Sequence, residues 1–160
     1  MLRLSKEERY GIMALIDLSR ITSTNGEEAV VEVERVRTIA ERQKIPTRFL
    51  EQIFSKFRQA EIVVGKRGPQ GGYRLAQNAN EITLDRVMEA LRPNLQNSDS
   101  GTINGLAQAV NTIWAEIETS FNTTLGGLTL ADLLERAEEF DVTGSSDLET
   151  DPFVVEAVSG

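Results

Sequence analysis

The stretch Ile39-Ala40-Glu41-Arg42-Gln43-Lys44-Ile45-Pro46-Thr47-Arg48-Phe49-Leu50-Glu51-Gln52-Ile53-Phe54 decides the fold. Pro46 disfavours a helical conformation at Ile45, so the helix begun by Val36, Ile39 and Ala40 must stop near Lys44. Proline itself suits a first helical turn. Beyond it Phe49, Leu50, Ile53, Phe54 and Phe57 mark one apolar face of a second helix, reaching about Ala60. Two short helices across a tight turn have the layout of a helix-turn-helix, a pattern that any αα-hairpin shares.

The residues just downstream sharpen this. Ile62, Val63 and Val64 form a β-branched run, followed by Gly65-Lys66-Arg67-Gly68-Pro69-Gln70-Gly71-Gly72 and then Tyr73-Arg74-Leu75. Strand, glycine-rich basic loop and strand predict a hairpin. A phosphate-binding loop is a poor match, because Gly65 to Gly72 does not fit G-x-x-x-x-G-K-[ST] and no helix follows at once. A basic loop after a helix-turn-helix reads as a wing that reaches the minor groove or backbone with Lys66 and Arg67. A purely structural hairpin is the alternative.

Outward from this centre the chain is mostly helical. Ser5 with Glu8 makes a capping box for a helix over 5–19, with Tyr10, Met13, Ala14 and Leu18 inward. Thr22 to Gly26 reads as a polar break and Glu28 to Val33 as a short strand. Thr83 caps a helix that reaches Leu91, with Val87, Met88 and Leu91 inward, and Pro93 ends it. After a polar loop at 94–101, a long helix runs from about Thr102 to Thr123. Its apolar positions Ile103, Leu106, Val110, Ile113 and Ile117 are spaced 3, 4, 3, 4, a heptad seam. Ala107, Trp114 and Phe121 widen the stripe, so this helix can pack on its own domain and on a partner, or serve the core alone. Thr129 caps a last helix ending at Glu138-Glu139, and residues 141–160 read as a mobile acidic tail.

Composition limits the chemistry. Among 160 residues there is no cysteine and no histidine. Thiol nucleophiles, Ser-His-Asp hydrolysis, Cys/His zinc sites and disulfides are therefore excluded. No apolar run approaches the roughly 20 residues of a membrane helix, and residues 1–9 lack a signal peptide's apolar stretch; a cytoplasmic protein without membrane association is expected. The net charge of −8 is unevenly spread: residues 1–92 carry 16 basic and 13 acidic side chains, residues 93–160 carry 1 and 12. Within 35–74 the count is 10 against 3. That local excess suits phosphate binding, though a solvated basic surface would also show it.

Several stretches together resemble the IscR/NsrR/CymR family of bacterial winged-helix transcription regulators, the Rrf-two type. They are Leu2-Arg3-Leu4 with Tyr10, Ile39 to Gln43, Phe49 to Phe54, Arg67 to Tyr73 with Leu75, Trp114, and Leu128 to Leu133. The resemblance covers residues 2 to about 139. It implies a mainly α fold with a small β wing, divided into a winged helix-turn-helix at 1–92 and dimerisation helices at 93–140. It implies a homodimer on a partly palindromic duplex, joined along Ile103, Leu106, Val110, Ile113 and Ile117. The DNA-binding candidates are Thr47, Arg48, Glu51, Gln52 and Lys56 on the second helix, and Lys66, Arg67, Gly68, Gln70, Gly71 and Arg74 on the wing. Glu51 and Gln52 occupy base-reading positions, and Arg67 occupies that of the minor-groove arginine. Arg48 replaces the small polar residue often found there.

Many members hold an iron–sulfur cluster on three cysteines in the loop equivalent to 94–105. Here that loop offers Asn97, Ser98, Asp99, Ser100 and Asn104, and Asn111 stands where some members place a histidine. Cluster irons need thiolates, with histidine the usual substitute, so no cofactor and no metal ligand is expected. Control then falls to a small ligand or a partner protein, or binding is constitutive. A winged-helix protein-interaction module is the second reading; the retention of Glu51, Gln52 and Arg67 together favours DNA. An enzyme is the third. Its best acidic pair, Glu138-Glu139, sits on a charged helix end without a pocket.

Overall fold

Pro46 divides two helices as its chemistry requires. In the computed structural model, which describes residues 3–23, 32–92 and 105–143, α2 (Val36–Gln43) ends at Lys44, in the left-handed region with φ 55°, and α3 (Thr47–Gln59) starts directly after Pro46. The Ile45 N–H donates to the Ala40 carbonyl at 2.9 Å, closing α2 with a wide turn. Val36, Ile39 and Ala40 are buried, as are Leu50, Ile53, Phe54 and Phe57 of α3. The two helices thus share one apolar layer.

α1 (Lys6–Ser23) lies beneath them. Its capping box is present: the Glu8 N–H donates to Ser5 Oγ at 3.1 Å, and the Ser5 N–H to Glu8 Oε2 at 2.7 Å. The helix runs four residues past its expected end, through Thr22 and Ser23. No glycine or proline interrupts it there, and the buried Ser19 hydroxyl is satisfied within the helix by the Leu15 carbonyl. Of the expected strand, residues 28–31 lie outside the described residues, and Glu32 and Val33 are not strand-paired. The pairing falls on Glu34, which bridges Tyr73.

The hairpin is β1 (Val63–Lys66) against antiparallel β2 (Gly72–Leu75), with Val64 opposite Arg74 and Lys66 opposite Gly72. A 3-10 turn at Ala79–Glu81 leads to α4 (Leu84–Leu91), whose Val87, Met88 and Leu91 are buried as expected. Thr83 stands at the start of α4, but its hydroxyl serves the Asp85 carboxylate and caps no helix N–H. Its backbone is engaged elsewhere: Thr83 pairs with Thr129, flanked by hydrogen bonds from Leu84 to Leu128 and from Leu130 to Ile82.

α5 (Gly105–Gly126) and α6 (Leu130–Thr143) complete the described chain. Residues 102–104 of the expected long helix lie outside the described residues, and its end falls three residues late. α6 continues to Thr143, short of Gly144, so the first three residues of the expected tail are helical; residues 144–160 lie outside the described residues. α6 returns to α1 and places Leu130 in the same core as Phe54 and Phe57. The result is a mainly helical winged helix-turn-helix with a small β wing.

The start of α6 is a reciprocal cap. Asp132 Oδ2 accepts from the Thr129 N–H at 2.8 Å and from its hydroxyl at 3.0 Å, while the Asp132 N–H donates to Thr129 Oγ1 at 3.3 Å. The Thr129 backbone N–H foremost, then its hydroxyl, hold the Asp132 carboxyl below its ordinary 3.8. A depressed carboxyl stabilises the fold above its unfolded value, and that contribution is lost as pH falls through the folded value. Asp132→Asn should therefore lower the melting temperature at neutral pH, with the gap closing below about pH 4. Thermal melts across pH check this; an equal gap at about pH 2 would assign the effect to something other than the charge.

Candidate nucleic-acid interface

Burying one side of α3 forces its other side into solvent. Arg48, Glu51 and Gln52 are exposed on that outward side, and Thr47 is half-buried in the first turn. Lys56 stands apart from this row. It is half-buried, and its ammonium pairs with Glu7 of α1. Arg58, which the sequence reading passed over, is exposed in the last turn of α3.

The wing loop presents Lys66, Arg67, Gly68, Pro69 and Gln70 to solvent. Its glycines are steric requirements. Gly68 has φ 114°, in the region that favours glycine. Gly71 donates its N–H to the Gly68 carbonyl at 2.9 Å, and a side chain at 71 would stand 2.4 Å from the Lys66 carbonyl. Arg74 is half-buried and donates to the Leu75 carbonyl at 3.1 Å. The fold thus brings the outward residues of α3 and the wing loop to the same domain, with Tyr73 of β2 packed on Phe54 of α3 at 5.1 Å between ring centroids.

Two arginines that are not among the candidate site residues, Arg35 and Arg42, organise the ground between them. The Arg35 guanidinium donates to the Pro69 carbonyl at the wing tip. Arg42 bridges Asp17 and Glu34 at 2.8 Å each. The Glu34 hydrogen bond foremost, with Asp17 in support, raises its pKa further. Only the doubled glycine at 71–72 hinted at so close an approach.

Of the expected seam, Ile103 lies outside the described residues. Leu106, Val110, Ile113 and Ile117 are all more than half exposed on α5, as is Trp114. Every residue from 108 to 120 is exposed. Phe121 and Leu125 are where α5 meets the body, Phe121 lying under the Arg92 guanidinium at 5.4 Å.

The loop at 94–105, where the resemblance implies cluster ligands, lies outside the described residues as far as Asn104. The donor chemistry is nevertheless fixed by the sequence, which holds no thiol and no imidazole. Asn111 is exposed on α5 and offers only an amide. These residues do not fit an iron–sulfur cluster. Among the described residues no group of acidic side chains could hold a metal, and no helix is long and apolar enough to cross a membrane.

A helix-turn-helix with a polar outward helix and a basic glycine-rich wing defines a winged-helix, DNA-binding transcription regulator. The chain belongs to the Rrf2 family, whose model, described as an iron-dependent transcriptional regulator, matches residues 4–136. It is 30% identical over 150 residues to the transcriptional regulator IscR of Pectobacterium carotovorum, covering 91% of this chain and 87% of that one. The IscR of Photobacterium profundum is 29% identical over 91% of this chain and 83% of its own. Among solved structures, T. potens IscR superposes with a TM-score of 0.65 at 30% identity, over 86% of this chain and 90% of its own. CymR, the global cysteine regulator of B. subtilis, gives 0.61 at 26% identity, over 85% and 98%. The relatives are transcription regulators, and the chain is not an enzyme.

Proposed function

We propose that this regulator works as a cytoplasmic homodimer that reads a partly palindromic operator and carries no iron–sulfur cluster. The observation that carries the DNA reading is the exposure of Arg48, Glu51 and Gln52 on α3 in the same domain as the exposed Lys66 and Arg67 of the wing. The start of α3, with Thr47, enters the major groove. Gln52 can pair with adenine and Glu51 can accept from cytosine N4. Arg67 enters the minor groove, where narrow A·T-rich stretches concentrate negative potential. Gly68, Gln70 and Gly71 let the wing backbone approach the duplex, and Lys66 and Arg74 meet phosphates. Lys56 joins them at the backbone on release from Glu7.

Residues 1–92 form the reading domain and 93–140 the pairing element. A helix exposed all round over 13 residues has little to hold it in water. Covering the row Leu106, Val110, Ile113 and Ile117 with a second copy supplies what is missing, and twofold pairing matches a palindrome. With no cluster, control falls to another ligand or a partner protein, or binding is constitutive.

Selection from a random DNA pool should yield one operator. On it Gln52→Ala should lose about 1–3 kcal/mol, and much less on a scrambled duplex. Lys66→Ala should weaken both alike and lower the salt slope by about one. Identical profiles for the two variants would refute this division of roles. Ile113→Asp should leave the monomer folded, since Ile113 is exposed within one chain. In the dimer it buries an unpaired charge, raising the dissociation constant about a hundredfold or more; undiminished dimer in equilibrium sedimentation would remove α5 from the interface. Protein made with iron and kept anaerobic should be colourless, and stoichiometric retained iron and sulfide would overturn the cluster-free reading.

A further inference from the structure

The wing is too small to hold its own direction. Its two strands have four residues each, and an isolated two-stranded hairpin is marginal in water. One support is the Tyr73 ring on Phe54 of α3. At its base Val63 and Leu75 are buried in the core, and a further support runs along the free edge of β2. There the Glu34 N–H donates to the Tyr73 carbonyl at 2.8 Å, and the Tyr73 N–H to the Glu34 carbonyl at 2.7 Å. A side chain at 72 would stand 2.5 Å from that Glu34 carbonyl, so only glycine permits the approach.

Residues 34 and 35 are themselves tied from both ends. Arg35 donates from its guanidinium to the Pro69 carbonyl at the wing tip. The Glu34 carboxylate accepts from the Arg35 N–H at 3.0 Å and from Arg42 at 2.8 Å. Arg42 also donates to Asp17 at 2.8 Å, and Asp17, 4% exposed, takes a second bond from Gln43 at 3.0 Å. A run of charge-assisted bonds thus leads from the interior of α1, across α2, to the loop that carries Arg67. Neither Glu34 nor Arg35 belongs to the apolar core.

Building on the DNA reading above, we infer that Glu34 and Arg35, held by Arg42, are positioning residues that set where Arg67 enters the duplex relative to α3. They act through the wing and not by touching DNA. Glu34 makes this distinguishable from plain electrostatics. A carboxylate repels phosphates, so charge alone predicts that Glu34→Ala tightens binding to every duplex. Positioning predicts weaker binding to the operator, confined to the wing-contact bases.

The test titrates Glu34→Ala, Arg35→Ala, Arg67→Ala and the two double variants with Arg67→Ala. Each is measured on the selected operator and on a scrambled duplex, at several salt concentrations. Glu34→Ala and Arg35→Ala should each lose operator affinity about as far as Arg67→Ala, with the A·T preference at the wing positions lost. Each double variant should bind within about twofold of Arg67→Ala alone, because residues acting as a unit are not additive. Tighter operator binding by Glu34→Ala overturns the inference. So does an additive loss in the Arg35 double variant with a further fall of about one in salt slope, which marks a direct phosphate contact. If Arg67→Ala leaves the operator unaffected, the wing reading fails first and the positioning role falls with it. Should Glu34→Ala fail to fold, the exposed Arg35 decides alone.

Discussion

Everything in this molecule depends on α3 being buried on one side only. Leu50, Ile53, Phe54 and Phe57 are fully withdrawn from water, and each such side chain contributes about 1.5–3 kcal/mol relative to exposure. That face is met by α1 and α2, by β1, and by α4, so four neighbouring elements fix its rotation. Because side chains recur every 3.6 residues, fixing the buried side also fixes Arg48, Glu51 and Gln52 in solvent. The core and the outward polar row are two consequences of one rotation.

Electrostatics works locally here. The whole chain is at −8, a poor partner for DNA if that charge acted as one. Yet 10 basic and 3 acidic residues lie within 35–74, and the acidic excess falls after residue 92. At physiological ionic strength exposed charges are screened beyond about 8 Å. A phosphate at the wing would therefore feel Lys66 and Arg67 far more than any exposed charge beyond that distance. Several basic residues of 35–74 are engaged in ion pairs within the chain: Arg42 with Asp17 and Glu34, Lys56 with Glu7 and, at the surface, Arg37 with Glu41. Local charge thus builds the domain as well as its surface.

The helices and the wing were legible because their signals are local. Pro46 stops one helix and starts the next within a few residues, and Gly68 marks a positive φ by its type alone. What stayed hidden was long-range. Nothing near Arg35 announces Pro69, 34 positions away, and nothing near Arg42 announces Asp17, 25 positions back. An arginine's reach leaves its partner open until the fold is known. Thr83 shows the same limit in a cap: its place before α4 was readable, but its hydroxyl turns to the Asp85 carboxylate, which itself takes the Arg86 N–H at 2.7 Å. The heptad on α5 was readable as an apolar row, while its exposure within one chain was not.

The Rrf2 model is described as iron-dependent, and this chain has no thiolate or imidazole to hold iron. The contacts that border the segment at 93–104 are made without any such ligand. Arg92 immediately precedes that segment. Its guanidinium lies over Phe121 of α5 at 5.4 Å and reaches Glu8 of α1 at 3.5 Å, beside the Glu7 that engages Lys56 of α3. Arg92 thus touches α1 and α5 together. A ligand can exploit such a link only to the extent that it binds one arrangement more tightly than another.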